Sequence, residues 1–281
     1  MHFNHVSRRE LIAFGSAAAV WPLVALAQQP GRQRRVGLLA DFSDAQMQPL
    51  ISAFRERLEK LGWTDGNIRI DYRLAIGESA QFKAAAAALV GLAPDVVVTQ
   101  GSPALRAIRQ ETSVIPVVFT FAGDPVAQGF VESSGRPGGN LTGFTNIAFS
   151  FAPKWLEALK EIVPRISRVV LIVNPANPSG AGLSQFLEKL APTYGVEVVP
   201  VPVRSAAEIE STITKVGSAP DHALIVLPDG LAVTHRDLTI ELVNRARIPA
   251  VYPFRTFALN GKALGLEVPP TLLVLADEVI E

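Results

Sequence analysis

Apolar and polar positions follow two alternating periods along most of the chain. Runs that are apolar throughout, such as 36–40 and 169–173, are typical of strands buried on both faces of a parallel sheet. Between such runs, apolar residues recur at helical spacing. The clearest of these helical segments opens at Ser43 or Asp44 and stops at Gly62. This alternation predicts an α/β protein.

The order of predicted elements occurs twice. Strands are predicted at 36–40, 68–72, 95–99, 116–121 and 141–144, and again at 169–173, 196–201, 223–227 and 249–252. Helices are predicted at 43–61, 79–92, from 102 onward, and at 154–163, 182–194, 206–216 and 236–246. The repeat predicts two doubly wound parallel-sheet lobes around a cleft, with lobe 1 at 34–146 and lobe 2 at 147–281.

The first 27 residues have the order of a removable export signal. Arg8 and Arg9 precede an apolar stretch from Leu11 to Leu26, and the small residues Ala25 and Ala27 mark a cleavage site. The apolar stretch is short for a membrane span. The Arg pair resembles the twin-arginine motif, although the general secretory route stays open. We therefore expect a signal peptide at 1–27 and a periplasmic protein.

Charge and cysteine content exclude several classes of function. With 26 basic and 26 acidic residues, the chain has no net charge and no basic stripe, so nucleic acid is not expected as a partner. It has no cysteine, which rules out a lipid anchor on cysteine, a disulfide framework and zinc-thiolate sites. We expect an unanchored monomer without cofactor or metal.

Candidate ligand-binding residues follow the predicted strands, because ligands of such sheets sit beyond the carboxyl ends of the strands. In the first lobe the candidates are Ser43, Gln100, Gly101, Ser102, Phe121 and Asp124. The segment Gly101-Ser102-Pro103 predicts a helix N-terminus that offers N–H groups to a solute carboxylate. Ser102 and Asp124, each one residue before a proline, also fit ordinary helix starts.

In the second lobe the candidates are Asn174, Asp229 and Tyr252. Asp229 is a candidate partner for a solute ammonium group, and aspartate is also typical of an ordinary turn. Phe121, Tyr252 and Phe254 fit stacking on a ligand, although single aromatics near strand ends are often core residues.

Catalytic signals are weak. Outside the signal segment the imidazoles are His222 and His235, and neither stands in a serine or carboxylate constellation. No nucleotide-binding, nucleophile-elbow or zinc-protease motif occurs. We therefore do not expect an enzyme.

Several segments together resemble a known family. They read RVGLLA, PDVVVTQGSPA, IPVVFTFAGDPVAQGFVESSGRPGGNLTGFT, LIVNPANP, IPAVYPFR and ALGLEVPPTLLVLADEVIE. They are similar to the substrate-binding proteins of ABC transporters that include the tryptophan-type periplasmic binders. The resemblance implies a type I periplasmic-binding-protein fold and a receptor that captures a small solute, such as an amino acid, for an ABC permease of the inner membrane.

One departure from that family is expected near residues 257–262, where some family residues are absent and the chain runs straight on. The absent part would normally cross back to the first lobe. The departure predicts one crossing between lobes near 144–148 and exposed apolar surface on the first lobe. Two alternatives stay open at this point: a shortened paralogue that binds nothing, and an exported α/β enzyme.

Overall fold

The structure is a computed structural model that describes residues 33–258. The predicted signal peptide at 1–27, and residues 259–262 of the predicted deletion, lie outside the described residues. Within 33–258, no helix has the length and apolar character needed to cross a membrane.

Strands and helices alternate through both halves of the chain. The strands are β1 (Arg34–Ala40), β2 (Ile68–Leu74), β3 (Val96–Gln100), β4 (Val117–Gly123), β5 (Leu141–Ile147), β6 (Arg168–Val173), β7 (Glu197–Pro202), β8 (His222–Val226) and β9 (Ala250–Val251). The α-helices are α1 (Asp44–Lys60), α2 (Ser79–Val90), α3 (Ser102–Glu111), α4 (Pro153–Ile162), α5 (Pro178–Leu190), α6 (Ala206–Gly217), α7 (Gly230–Thr234), α8 (Arg236–Ala246) and α9 (Arg255–Ala258). Short 3-10 helices lie at Phe149–Phe151 and Ala191–Tyr194.

The strands form two parallel sheets, in the orders β2-β1-β3-β4-β5 and β7-β6-β8-β9. In each sheet the strand that comes first in the sequence, β1 or β6, is an inner strand. The later strands of that sheet are added on both sides of it. We call the first sheet with α1 to α3 the first lobe, and the second sheet with α4 to α9 the second lobe. The predicted fold class, two doubly wound lobes, is confirmed. The exact boundaries 34–146 and 147–281 stay a prediction.

Helix α5 begins earlier than its sequence pattern indicates. The side chain of Asn177 accepts a hydrogen bond from the Ser179 N–H at 3.0 Å, and Pro178 occupies the first turn. The predicted start at Gly182 is therefore wrong. Gly182 lies inside the helix, where a Cβ would meet the Phe149 ring at 2.8 Å. The glycine lets that ring approach the helix.

The prediction that Asp124 and Pro125 start a helix is also wrong, because turns follow from Pro125 to Gly129. The Asp124 carboxylate accepts from the N–H of Ala127 at 3.0 Å and from the N–H of Phe149 at 3.0 Å. It thus fastens this turn to the start of the connection between the lobes. Helix α7 was not predicted, since its five residues are too few to show a period.

Each lobe has a buried core. In the first lobe one cluster lies between the sheet and the α2–α3 pair, with Leu39, Phe82 and Leu105 among its buried members. In the second lobe there are two clusters, one on each face of the sheet, represented by Leu171 and Ile172 on adjacent positions of β6. Successive strand residues point to opposite faces, so both faces of the second sheet are covered.

The other face of the first sheet carries a smaller cluster, made of Leu38, Ala40, Met47 and Ile51. Leu38, Met47 and Ile51 of this cluster line a groove of about 860 Å³ that is walled by the sheet and α1. The groove lining includes Phe144, which is 72% exposed. Among residues 33–258, no second helix contributes to this lining. The expected exposed apolar surface of the first lobe is thus present in the described part of the chain.

The lobes are joined by a short connection. Within residues 33–258 the chain passes once from the first lobe to the second, between Ile147 and Pro153. This agrees with the crossing expected near 144–148.

Candidate functional site

The candidate site is the cleft where the carboxyl ends of the strands of both sheets meet, as expected for doubly wound sheets. The residues lining it are Asp41, Phe42, Gln100, Gly101, Ser102, Phe121, Gly123, Asn146, Asn177, Ser179, Pro228, Asp229, Gly230, Val233 and Phe254. Both lobes contribute, so a molecule held there would contact both.

The first lobe presents Asp41 directly after β1. The Asp41 N–H donates to the Gln100 side chain at 3.0 Å and to the Gln100 carbonyl at 3.1 Å, which ties the end of β1 to the end of β3. Gly101 follows with φ of 89°, and a Cβ there would meet the Asp41 Cβ at 2.9 Å. Glycine is therefore needed at 101 both for its backbone angle and for the closeness of Asp41.

The second lobe presents Asp229 after β8. Its carboxylate accepts hydrogen bonds from Asn174 Nδ2 at 3.1 and 3.2 Å, from Asn177 Nδ2 at 3.0 Å, and from the N–H of Leu231 at 2.8 Å. The last of these caps α7. Asp229 is thus held in a fixed position by groups of its own lobe.

The lobes touch at glycines. A Cβ at Gly230 would lie 2.1 Å from the Asp41 carbonyl oxygen and 2.6 Å from Asp41 Oδ1. A Cβ at Gly123 would lie 2.0 Å from Ser179 Oγ. A hydrogen bond from Thr234 Oγ1 to Gln46 Oε1 at 3.1 Å joins α7 to α1 nearby. The absence of side chains at 123 and 230 is what lets the two halves of the cleft meet.

Two buried carboxyl groups face each other across this contact. Burial raises the pKa of Asp41 well above its usual range, the nearby Asp229 raises it further, and the Gly230 N–H partly opposes the rise. Burial also raises the pKa of Asp229, while hydrogen bonds from Asn177, Asn174 and the α7 backbone oppose that rise. Both pKa values are therefore raised, and several hydrogen bonds oppose the rise at Asp229.

Aromatic rings form one wall of the cleft. Phe121 lies edge-on to Phe42, with ring centroids 6.4 Å apart, and edge-on to Phe254, at 6.3 Å. Phe121 has a φ of 55°, uncommon for a bulky residue, and its side chain is 45% exposed. Phe254 comes from the second lobe, so the aromatic wall also spans both lobes.

Five of the predicted site residues line the cleft together: Gln100, Gly101, Ser102, Phe121 and Asp229. Ser102 Oγ accepts from the Gly123 N–H and from Gln128 Nε2, both at 3.2 Å, so its hydroxyl already holds the β4 end in place. Whether these five contact a solute stays a prediction.

The other four predicted residues lie outside the lining. Ser43 pairs with the Gln46 side chain at the start of α1. Asp124 fastens the turn after β4, and Asn174 lies behind Asp229 as its donor. Tyr252 stacks on Phe257, with ring centroids 5.3 Å apart, and burial raises its pKa. Each of these four side chains thus has a structural contact outside the lining, although the contact of Asp124 is in a turn and not in the expected helix start.

Sequence reasoning did not select Asp41, Asn177, Ser179 or Gly230. Asp41 stands directly after an apolar strand, the position that drew attention to other residues, so a signal for it was present. Gly230 could not be recognised in this way, because its role depends on Asp41, a residue far away in the sequence. Such pairings are set by how the lobes meet.

The cleft is narrow in this conformation. Its cavity measures about 30 Å³, whereas pockets for small ligands usually measure about 300–1,000 Å³. The lobes must therefore move apart before a solute of amino-acid size can enter.

The described residues offer little for catalysis. His222 lies at the start of β8, at the opposite end of the strand from the cleft, and His235 follows α7. No group of three or more His, Asp or Glu able to hold a metal ion occurs in the range 33–258.

Comparison with known proteins supports a binding role. The chain is 25% identical over 221 residues to a tyrosine-binding protein of Clostridioides difficile, covering 78% of this chain and 63% of the relative. The chain thus spans less than two thirds of the length of this curated relative.

Two solved structures share the fold. A conserved domain protein from Vibrio cholerae aligns with a TM-score of 0.71 at 24% identity, over 82% of this chain and 77% of the other. An ABC domain from Streptococcus pneumonia in complex with L-Trp aligns with a TM-score of 0.66 at 22% identity, over 78% and 74% of the two chains. The model of the ABC transporter substrate binding protein family matches residues 35–270, and the chain belongs to this family.

Proposed function

We propose that this protein is the solute receptor of an ABC importer: it captures a small solute between its two lobes and delivers it to a permease. The observation that supports this most is the cleft itself, which has polar groups at the strand ends of both sheets. A site divided between two lobes suits a binding protein that closes on its ligand.

Closure would follow from the solute's contacts with both halves of the cleft. A ligand shifts a two-state equilibrium only by its difference in affinity for the two states. In the open state a solute reaches one lobe, whereas in the closed state it also reaches the other. The carboxylate of Asp229 in the second lobe and the surface around Asp41 in the first lobe would supply these two sets of contacts.

Free amino acids are the solute class to test first. The relative from Clostridioides difficile is named a tyrosine-binding protein, and the structure from Streptococcus pneumonia contains L-Trp. The aromatic wall of Phe42, Phe121 and Phe254 suits a solute with an apolar body. The family consists of binding proteins, and we propose that this chain has no enzymatic activity.

Binding can be tested on the protein expressed from Gln28 onward. Thermal-shift and calorimetric titration with the free amino acids should give one or a few strong responses. A ligand at 100 times its Kd stabilises the folded protein by about 2.7 kcal/mol, which is easily measured. Mass spectrometry of small molecules released from the purified protein identifies a solute independently. No stabilisation by any amino acid and no released solute would contradict the proposal.

The place of action in this proposal is the periplasm, reached through a twin-arginine signal peptide at 1–27. The protein would act there as a monomer, with the permease as its partner and no role in nucleic-acid binding. Replacing Arg8 and Arg9 by Lys should keep the precursor in the cytoplasm, whereas wild type should appear in the periplasm cleaved near Ala27. Export of the double variant at the wild-type level would instead favour the general secretory route.

The groove of the first lobe favours one other candidate, a shortened paralogue that is exported but does not bind. Its support is the apolar face beside α1. The binding titrations separate the two candidates directly, because a non-binding paralogue gives a clean thermal transition that no solute shifts.

A further inference from the structure

The inference starts from an oxygen atom of Asp41. The Asp41 side chain is 3% exposed and lines the cleft. Its Oδ1 atom is buried and accepts no hydrogen bond of normal geometry within residues 33–258, although the Gly230 N–H lies close enough to the carboxyl group to oppose the rise in its pKa. A buried polar atom without a partner costs about 1–3 kcal/mol, and more if it is charged. The position is therefore unfavourable unless something else binds there.

The carboxylate on the other side of the cleft, that of Asp229, differs because it has several hydrogen-bond donors. Asp229 accepts four hydrogen bonds from Asn174, Asn177 and Leu231, which oppose the rise that burial causes in its pKa. It lies close enough to Asp41 to disfavour a second negative charge there. Two carboxyl groups with different hydrogen-bond partners thus meet in a single narrow space.

The described lining contributes no cation to balance them. Of the fifteen residues that border the cleft in the described part of the chain, none is Lys, Arg or His. Among these fifteen residues, a solute carboxylate finds no basic side chain. The N-terminus of α3, which the sequence suggested for such a carboxylate, lies beside Asp41: Asp41 Oδ2 is 3.4 Å from the position of a Cβ on Gly101.

The aromatic wall is compatible with a positive charge. Phe42, Phe121 and Phe254 border the same space. Aromatic faces attract cations, and their apolar surface packs against the carbon skeleton of an organic cation. Carboxylates with aromatic neighbours and no basic side chain together describe a site for an amine.

We propose that the solute carries an ammonium group that sits between Asp41 and Asp229, that this group is the required feature of the solute, and that a carboxylate on the solute is dispensable. This inference rests on the proposed solute-receptor function and specifies its ligand. Asp41 is then the residue that selects for positive charge, and Asp229 is the fixed anchor.

In the same arrangement, closure of the two lobes depends on the charge of the solute. Closing the lobes without a cation buries Asp41 beside Asp229, which is costly for an ionised carboxyl group. An ammonium group between them removes the repulsion and fills the hydrogen-bonding capacity of Oδ1. A neutral or anionic solute leaves the cost in place, so it fails to stabilise the closed state.

The test uses matched sets of probes that share one skeleton. Tyramine, L-tyrosine and 3-(4-hydroxyphenyl)propanoate carry an ammonium group, both groups, and a carboxylate alone. The set of 3-methylbutylamine, L-leucine and 4-methylpentanoate does the same for an aliphatic body. Each is titrated by calorimetry at pH 7.5 into wild type, Asp41→Asn and, as matched control, Asp44→Asn. Asp44 undergoes the same chemical change on the exposed surface of α1.

In at least one set the amine should bind about as tightly as the amino acid or more tightly, and the carboxylate should not bind. Asp41→Asn should weaken binding of the amine about tenfold or more, while Asp44→Asn leaves it unchanged. Circular dichroism of Asp41→Asn verifies that the variant is folded.

Three results overturn the inference. One is binding of the carboxylate as tight as that of the amine, and another is unchanged amine binding in Asp41→Asn. In both cases the receptor function survives, because a solute still binds. The third is that no probe binds while mass spectrometry finds a neutral or anionic solute on the protein. Failure to find any solute at all would instead remove the receptor function and this inference with it.

Discussion

The two sheets use similar strands, yet their faces are covered differently. Leu171 in β6 is fully buried, because α4 and α5 pack on that side of the second sheet. Leu38 holds the comparable place in β1 and is also largely buried, at 5% exposure, but it borders the groove beside α1. The segment that enters the second lobe supplies α4, and the described first lobe has no counterpart. The strand sequence alone thus does not reveal what covers a sheet.

The largest expected difference concerns these two leucines. Leu171→Ala creates a cavity inside a closed core and should lower the free energy of unfolding by about 2–5 kcal/mol. Leu38→Ala enlarges a groove that is already open, so the cavity term is small and the loss should be about 2 kcal/mol or less. Urea denaturation of both variants measures this. Equal losses would show that the groove is covered in the folded protein.

The second expected difference concerns the two carboxyl groups. Asp229→Asn places an amide opposite the donors of Asn174 and Asn177, and should cost about 1–3 kcal/mol in unfolding free energy. Asp41→Asn removes a buried, poorly partnered carboxyl group and should favour contact between the lobes at neutral pH. Equal destabilisation by Asp41→Asn and Asp229→Asn would contradict the different roles assigned to these two carboxyl groups.

The raised pKa of Asp41 gives this contrast a pH dependence. When the lobes separate, the carboxyl group returns towards its usual pKa of about 3.9. As pH rises, the Asp41 carboxyl group therefore loses its proton at a lower pH when the lobes are separated than when they are in contact. Contact between the lobes thus weakens as pH rises through the raised pKa. Small-angle scattering should show a larger radius of gyration at pH 8 than at pH 4.5. Asp41→Asn serves as the control and should remove most of that change, while Asp229 stays as the other titrating group in the cleft.

A third difference concerns closure itself. Gly230→Ala puts a methyl group where the Asp41 carbonyl oxygen lies, so the lobes cannot reach this contact. The expected effect is a loss of solute affinity of about tenfold or more, equal to about 1.4 kcal/mol, with folding retained. Gly135→Ala is the matched control, since a Cβ there meets nothing within 4 Å. Unchanged affinity in Gly230→Ala would mean that solutes are held in a more open arrangement.

The smallest expected effect concerns the surface of the groove. Phe144 is 72% exposed, so Phe144→Ser should change the unfolding free energy by no more than about 0.5 kcal/mol. Thermal denaturation measures it, with Phe119→Ser as the buried comparison on the neighbouring strand. A loss above about 1.5 kcal/mol would indicate that a further part of the chain, or a second molecule, lies over Phe144.

The sequence predicted most of the fold because strands and helices leave periodic signals. Strands β1, β3 and β6 were placed within about two residues of their observed bounds, since each is a continuous apolar run. Where the prediction failed, local signals competed: Asp124-Pro125 has the residues of a helix start but forms a turn anchored to Phe149. Five of the fifteen lining residues were predicted from their positions at strand ends. The pairing of Asp41 with Gly230 was not, because it arises only when the lobes come together.

The short passage between Ile147 and Pro153 has a mechanical consequence for the described part of the chain. Two bodies tied by a single strand of backbone behave as tethered partners, and their encounter rate depends on an effective concentration set by the tether. A tether of a few residues keeps that concentration high but permits twisting as well as hinging. Lengthening it with Gly-Ser repeats would lower the effective concentration of each lobe around the other. Closure would then require diffusional encounter of the lobes and not only a confined rotation.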